Sequence, residues 1–107
     1  MEQIFINALA QEMIKAKEVA KQAIQHVPDT GFPCKMVIVP TLHNATFEDY
    51  EELSRISGIR ISRWDEKAAF HFVSHQGNAE RAGVIAAFNY LVHNTDDYQW
   101  ELIYMPD

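Results

Sequence analysis

The sequence has a single cysteine, Cys34, so no internal disulfide can form and no CxxC pair is there to seat zinc. Glycine and proline are scarce, four of each, which excludes collagen-like and low-complexity linker architectures. No apolar run approaches the ~20 residues a membrane span needs. Bases are outnumbered, nine against fifteen acids, for a formal net charge of −6. That balance opposes non-specific affinity for nucleic acid, which depends on neutralising phosphates. The opening stretch MEQIFINALAQEM carries an acid where a secretory leader would carry lysine or arginine. A chain with one cysteine and no leader is expected in the cytoplasm.

What is present is the composition of a folded domain: 48% hydrophobic and 22% charged residues. At 107 residues the chain is expected to be one domain, with a helix over 1–27 and a core over 35–105. Ile6, Leu9, Met13, Ala16, Ala20, Ala23 and Val27 recur at gaps of three and four, one stripe on a long helix. Pro28 should stop that helix near His26. CKMVIVP reads as a short buried strand. Thr46 is placed to cap a second helix, with Asp49 three residues on, and Phe47, Tyr50, Leu53 and Ile56 fall on one face of it before Gly58. IRISRW and KAAFHFVSH flank Asp65-Glu66 as a hairpin. Asn78 can cap a third helix with a stripe of Val84, Ile85, Phe88, Leu91 and Val92, and YQWELIYM closes the chain as a strand.

After the first helix the order is β-α-β-β-α-β. This predicts an α+β, ferredoxin-like fold: a four-stranded antiparallel sheet with two helices on one face. The opening helix is an addition that must cover apolar surface, either on its own fold or by pairing with a second copy as a homodimer.

VIVPTL followed by TFEDYEELSRI, then FHFV followed by NAERAGVIAAFN, resembles the RNA-recognition motif domain over roughly residues 36 to 105. In that family aromatic residues on the first and third strands stack on bases. The resemblance implies Phe70 and Phe72 as an exposed stacking pair, with Ile38 at the other aromatic position and His71 where the family has glycine.

Hairpin geometry gives a separate reading. A two-residue loop at Asp65-Glu66 pairs Trp64 with Lys67, Ile61 with Phe70 and Arg60 with His71. Ile59, Ile61, Phe70 and Phe72 then share one apolar face, which belongs under the helices, because a one-residue slip would mix the faces. Tyr98, Trp100, Leu102 and Tyr104 form the matching inward set on the last strand. The opposite face carries Arg60, Ser62, Trp64, His71, Val73, His75, Glu101 and Ile103, and is one candidate binding surface.

His71 and His75 lie four residues apart on a strand, roughly 13 Å, too far to share one metal at ~2 Å bonds. No compact ligand set accompanies them, so no metal and no cofactor is expected. Arg60, His71 and Glu101 could form an acid–base group only by converging in a pocket. The second candidate surface is the acidic run FEDYEEL, with Glu48, Asp49, Glu51 and Glu52. A compact acidic domain without a catalytic signature suits a protein that binds another protein, such as an inhibitor or immunity-type regulator of a partner with a basic surface. The alternatives are a degenerate RNA-recognition-like module and a small enzyme using the His71 face.

Overall fold

The computed structural model describes residues 1–27, 35–73 and 78–105, and within these all side chains but those of residues 64, 78, 79 and 105. It is an α+β fold of three helices and a four-stranded antiparallel sheet, with the long helix first. In chain order the elements are α1 (Gln3–Ile24), β1 (Lys35–Thr41), α2 (Phe47–Ser57), β2 (Arg60–Trp64), β3 (Lys67–His71), α3 (Asn78–Asn94) and β4 (Gln99–Met105). The strands lie in the order β2-β3-β1-β4, so β2 and β4 are the two edges.

The apolar stripe of α1 is consumed inside the chain. Ile6, Leu9, Ala10, Met13, Ala16 and Ala20 are all buried. The helix packs between α2 and α3, which do not reach each other among the described residues. Its stripe is therefore unavailable for a homodimer; the alternative of packing on its own fold is the one adopted. It ends two residues before His26, where the backbone tightens: the N–H of His26 and that of Val27 donate to the carbonyls three residues back.

Helix α2 is bounded as its sequence dictates. Thr46 Oγ1 accepts from the Asp49 N–H at 3.3 Å, and the Asp49 carboxylate accepts from the Thr46 N–H at 2.9 Å, a complete capping box. Gly58 ends the helix in the left-handed region at φ 72, a conformation that costs glycine little.

The hairpin register is the expected one: Arg60 opposes His71, Ile61 opposes Phe70, and Trp64 opposes Lys67. Phe70 is fully buried and Phe72 nearly so, in one apolar cluster with Met36, Ile38, Ile59 and the buried residues of all three helices. The phenylalanines are core residues, and the stacking role implied by the RNA-recognition resemblance has no exposed ring to perform it. On the opposite sheet face, Val37, Val39 and Ala69 form a second cluster with Ile103 beside it.

Three expected details are corrected. Val73, expected on the open sheet face with His71, lies beyond the end of β3 and is buried in the core beneath the helices. On α3 the buried stripe is Val84, Ala87 and Leu91, while Ile85 and Val92 are exposed. Gly83 explains the rotation: a Cβ there would stand 2.8 Å from the Ile24 side chain and 2.9 Å from that of Val73, so its bare backbone lets α1 approach closely. Tyr104, expected to point inward with Trp100 and Leu102, is 54% exposed near the end of the edge strand β4.

Candidate functional site

The sheet face opposite the helices brings Arg60, Ser62 and His71 together across the β2–β3 pair. Ser62 Oγ lies 2.8 Å from His71 Nε2, and Arg60 Nη2 lies 3.4 Å from His71 Nδ1. A guanidinium has donors only, so Nδ1 must accept and the ring proton resides on Nε2. The Nε2–H then donates to Ser62. A serine nucleophile needs the reverse, a neutral ring nitrogen that takes its proton. Partial burial pushes the His71 pKa below its ordinary value, with Arg60 and Lys35 adding to the effect. This imidazole is held neutral and donating, which is the wrong wiring for a general base acting on Ser62.

Glu101 does not join that group. Its carboxylate lies 3.7 Å from Lys67 Nζ, in an exposed pair that contributes little to stability. The acid–base group of Arg60, His71 and Glu101 is thus divided: two members meet and the third pairs elsewhere. Trp64 opposes Lys67 in the register, but its side chain is outside the described set, and His75, like Cys34, falls outside the described residues. Among the described residues no group of three metal-ligating side chains converges. No described helix is long and apolar enough to cross a membrane.

The acids of α2 separate into two kinds. Asp49 caps its own helix and also accepts from the Met1 amino group at 3.1 Å. The Thr46 N–H, first, and that amine hold its carboxyl below the usual carboxylate range. Glu52 is clasped by the Arg55 guanidinium, with Nε at 3.1 Å, and this bond likewise lowers its pKa. Glu48 and Glu51 are exposed and have no hydrogen bond or ion pair among the described residues.

Glu51 stands at the rim of an open groove of about 450 Å³ between α2 and the edge strand β2. Phe47, Ile61 and Ser54 line it, and Arg63 crosses it with its guanidinium 3.9 Å from the Phe47 ring centre. Two serines that sequence reasoning passed over shape this corner. Ser54 Oγ donates to the Ile59 carbonyl at 2.5 Å, and the Ile59 N–H donates to Ser57 Oγ at 3.3 Å. They satisfy the outward backbone groups of Ile59, so strand β2 begins only at Arg60. The signal available in the sequence was weak: two serines in the last turn of a helix, just before a strand.

Comparison with protein-family models, curated proteins and solved structures gave no match. The function must be argued from the surfaces themselves.

The open sheet face also carries more positive charge than the composition suggests. Lys35, Arg60 and Lys67 share it with Glu101 alone among the described acids, in a chain of net charge −6. Lys35 and Lys67 were missed because each sits at a strand terminus, where a charged residue is ordinarily read as an end marker.

Proposed function

We propose that this chain acts by binding another protein, as a small cytoplasmic regulator of the inhibitor or immunity type whose partner presents a basic surface. The observation that carries this reading is the difference among the four acids of α2. Asp49 and Glu52 are engaged within the chain, while Glu48 and Glu51, three residues apart on one flank, are exposed and unpaired among the described residues. Free charges on a rigid, well-capped helix steer the encounter with an opposite surface without first breaking internal bonds. The groove beside Glu51 gives such a partner a place to seat an anchoring side chain. Single-cysteine composition favours the reducing cytoplasm.

The core that presents this flank we read as ferredoxin-like. Support comes from the β-α-β-β-α-β succession after α1 and from the strand order, which runs β4-β1-β3-β2 when taken from the other edge.

A second reading, an anionic ligand on the open sheet, is favoured by the cations Lys35 and Arg60 beside His71. One experiment weighs both. Wild type and Glu48→Lys/Glu51→Lys are immobilised in parallel, and bound species are recovered from a lysate at low salt. The first reading expects a basic protein retained by wild type and lost from the double variant. Retention of a nuclease-sensitive species by both would favour the second.

A further inference from the structure

Which backbone groups face outward at the two sheet edges can be worked out from the strand pairing. In a two-residue hairpin the flanking residues, Trp64 and Lys67, exchange both hydrogen bonds. Alternation then turns the N–H and C=O groups of Ile59, Ile61 and Arg63 away from β3. The bonds of Ile59 to Ser54 and Ser57 agree with that assignment. Carried across the sheet, the same alternation points Ala68 and Phe70 toward β1, and Ile38 toward β3. Pro40, two residues on, has no N–H to give, and the β1–β3 register is the one that stops short, at Ile38 with Phe70. Val37, Val39 and their neighbours therefore pair with β4 through Ile103 and Glu101, in an uninterrupted seven-residue register. What remains on the outer edge of β4 is the backbone of Trp100, Leu102 and Tyr104.

This edge differs in kind from β2. The β2 edge bears Arg60 and Arg63, and charged side chains discourage a second strand. The described side chains of β4 include one charge, Glu101. Above β4 runs α3, which packs on β1 and β4. Gly83 and Tyr90 face α1, through Ile24 and through the bond from Tyr90 to Glu12. Ile85 and Val92 lie two positions further on, about 200° around the helix, and so face away from α1, over the β4 edge. Of five exposed large apolar side chains among the described residues, three (Ile85, Val92 and Tyr104) border this edge.

We propose that a second copy of this chain docks here, β4 against β4 in antiparallel pairing with the two-fold axis at Leu102. The register selects the occupant. It pairs Leu102 with itself and Trp100 with Tyr104, all with outward backbone groups, for about six hydrogen bonds. Glu101 then meets Ile103 of the other copy. Moving the axis to Glu101 would oppose two like charges, which destabilises a strand pair. The flanks carrying Ile85 and Val92 approach each other above the joined sheet, and an isologous, self-complementary patch results. The surface is distinct from the α2 flank, so its test is independent of the partner proposed above.

Sedimentation of the full chain from micromolar to millimolar concentration should show a monomer–dimer equilibrium. Val92→Lys/Tyr104→Lys, both at exposed positions, should remain monomeric throughout with an unchanged circular dichroism spectrum. Should that variant fold poorly, an equimolar mixture of Glu101→Cys and Ile103→Cys chains, each also Cys34→Ser, decides the matter, because this register sets position 101 of one copy opposite position 103 of the other and joins the two chains to each other rather than each to itself. Mild oxidation should then give a covalent dimer. A wild type that stays monomeric, a dimer untouched by the two lysines, or no covalent dimer from the cysteine pair overturns the proposal.

Discussion

Arg60 Nη2 lies 3.4 Å from His71 Nδ1, and that contact fixes where the imidazole proton sits. Burial, first, and this cation keep the His71 pKa below its ordinary value of about 6.5. The folded chain therefore binds a proton at His71 less readily than the unfolded chain. Its contribution to stability is fully present above the unfolded pKa and is lost as pH falls from there toward the folded one. Imidazole resonances followed by NMR should titrate below the ordinary range for His71. Arg60→Met should move that midpoint upward, though not all the way, because burial remains.

Phe70→Ala should lower stability by about 3–5 kcal/mol, as expected for truncating a buried phenylalanine. Phe72→Ala, also in the core, should be of the same order. Chemical denaturation measures both. Near-neutral effects would mean that the rings are not packed beneath the helices.

The capping box separates the acids of α2 by stability. Asp49→Ala breaks the reciprocal bonds with Thr46 and should cost about 0.5–2 kcal/mol, whereas Glu48→Ala should stay within about 0.5 kcal/mol. The lowered carboxyl pKa of Asp49 gives a stabilisation that is present above the unfolded value and lost as pH falls through the folded one. Denaturation midpoints at neutral and acid pH should therefore differ less for Asp49→Ala than for wild type.

Gly83→Ala tests the α1–α3 approach. Helix propensity alone favours alanine by about 1 kcal/mol. The added methyl would meet the Ile24 and Val73 side chains within 3 Å, and Val73 is buried and stiff at its branched carbon. Net destabilisation of about 1–3 kcal/mol is expected, as for an overpacked core. A stabilised variant would show that α1 can retreat without loss.

Local patterns made much of this fold legible before the structure. The Thr46–Asp49 spacing, Gly58 after an apolar face, and the two-residue hairpin each specify backbone geometry over a few residues. From the hairpin followed which way Phe70 points. The misreading of Ile85 and Val92 had a tertiary cause: small residues at Gly83 and Ala87 draw α1 in, and no 3.6-residue period encodes which flank of a helix a neighbour will choose. The candidate site was less legible. All four acids of FEDYEEL look alike in the sequence, yet only contacts reveal that Asp49 and Glu52 are occupied. Likewise, Glu101 shares a face with His71 by alternation, but the lateral strand order puts Lys67 within its reach instead.

The central claim, that Glu48 and Glu51 steer this chain onto a basic protein, is tested most directly by stopped-flow association with the captured partner. Wild type and Glu48→Lys/Glu51→Lys are compared at low and high salt, where screening shortens the reach of surface charge to a few ångströms. The account predicts slower association for the variant at low salt, convergence of the two rates at high salt, and a dissociation rate changed much less than the association rate. Equal association rates at both salt concentrations would contradict it.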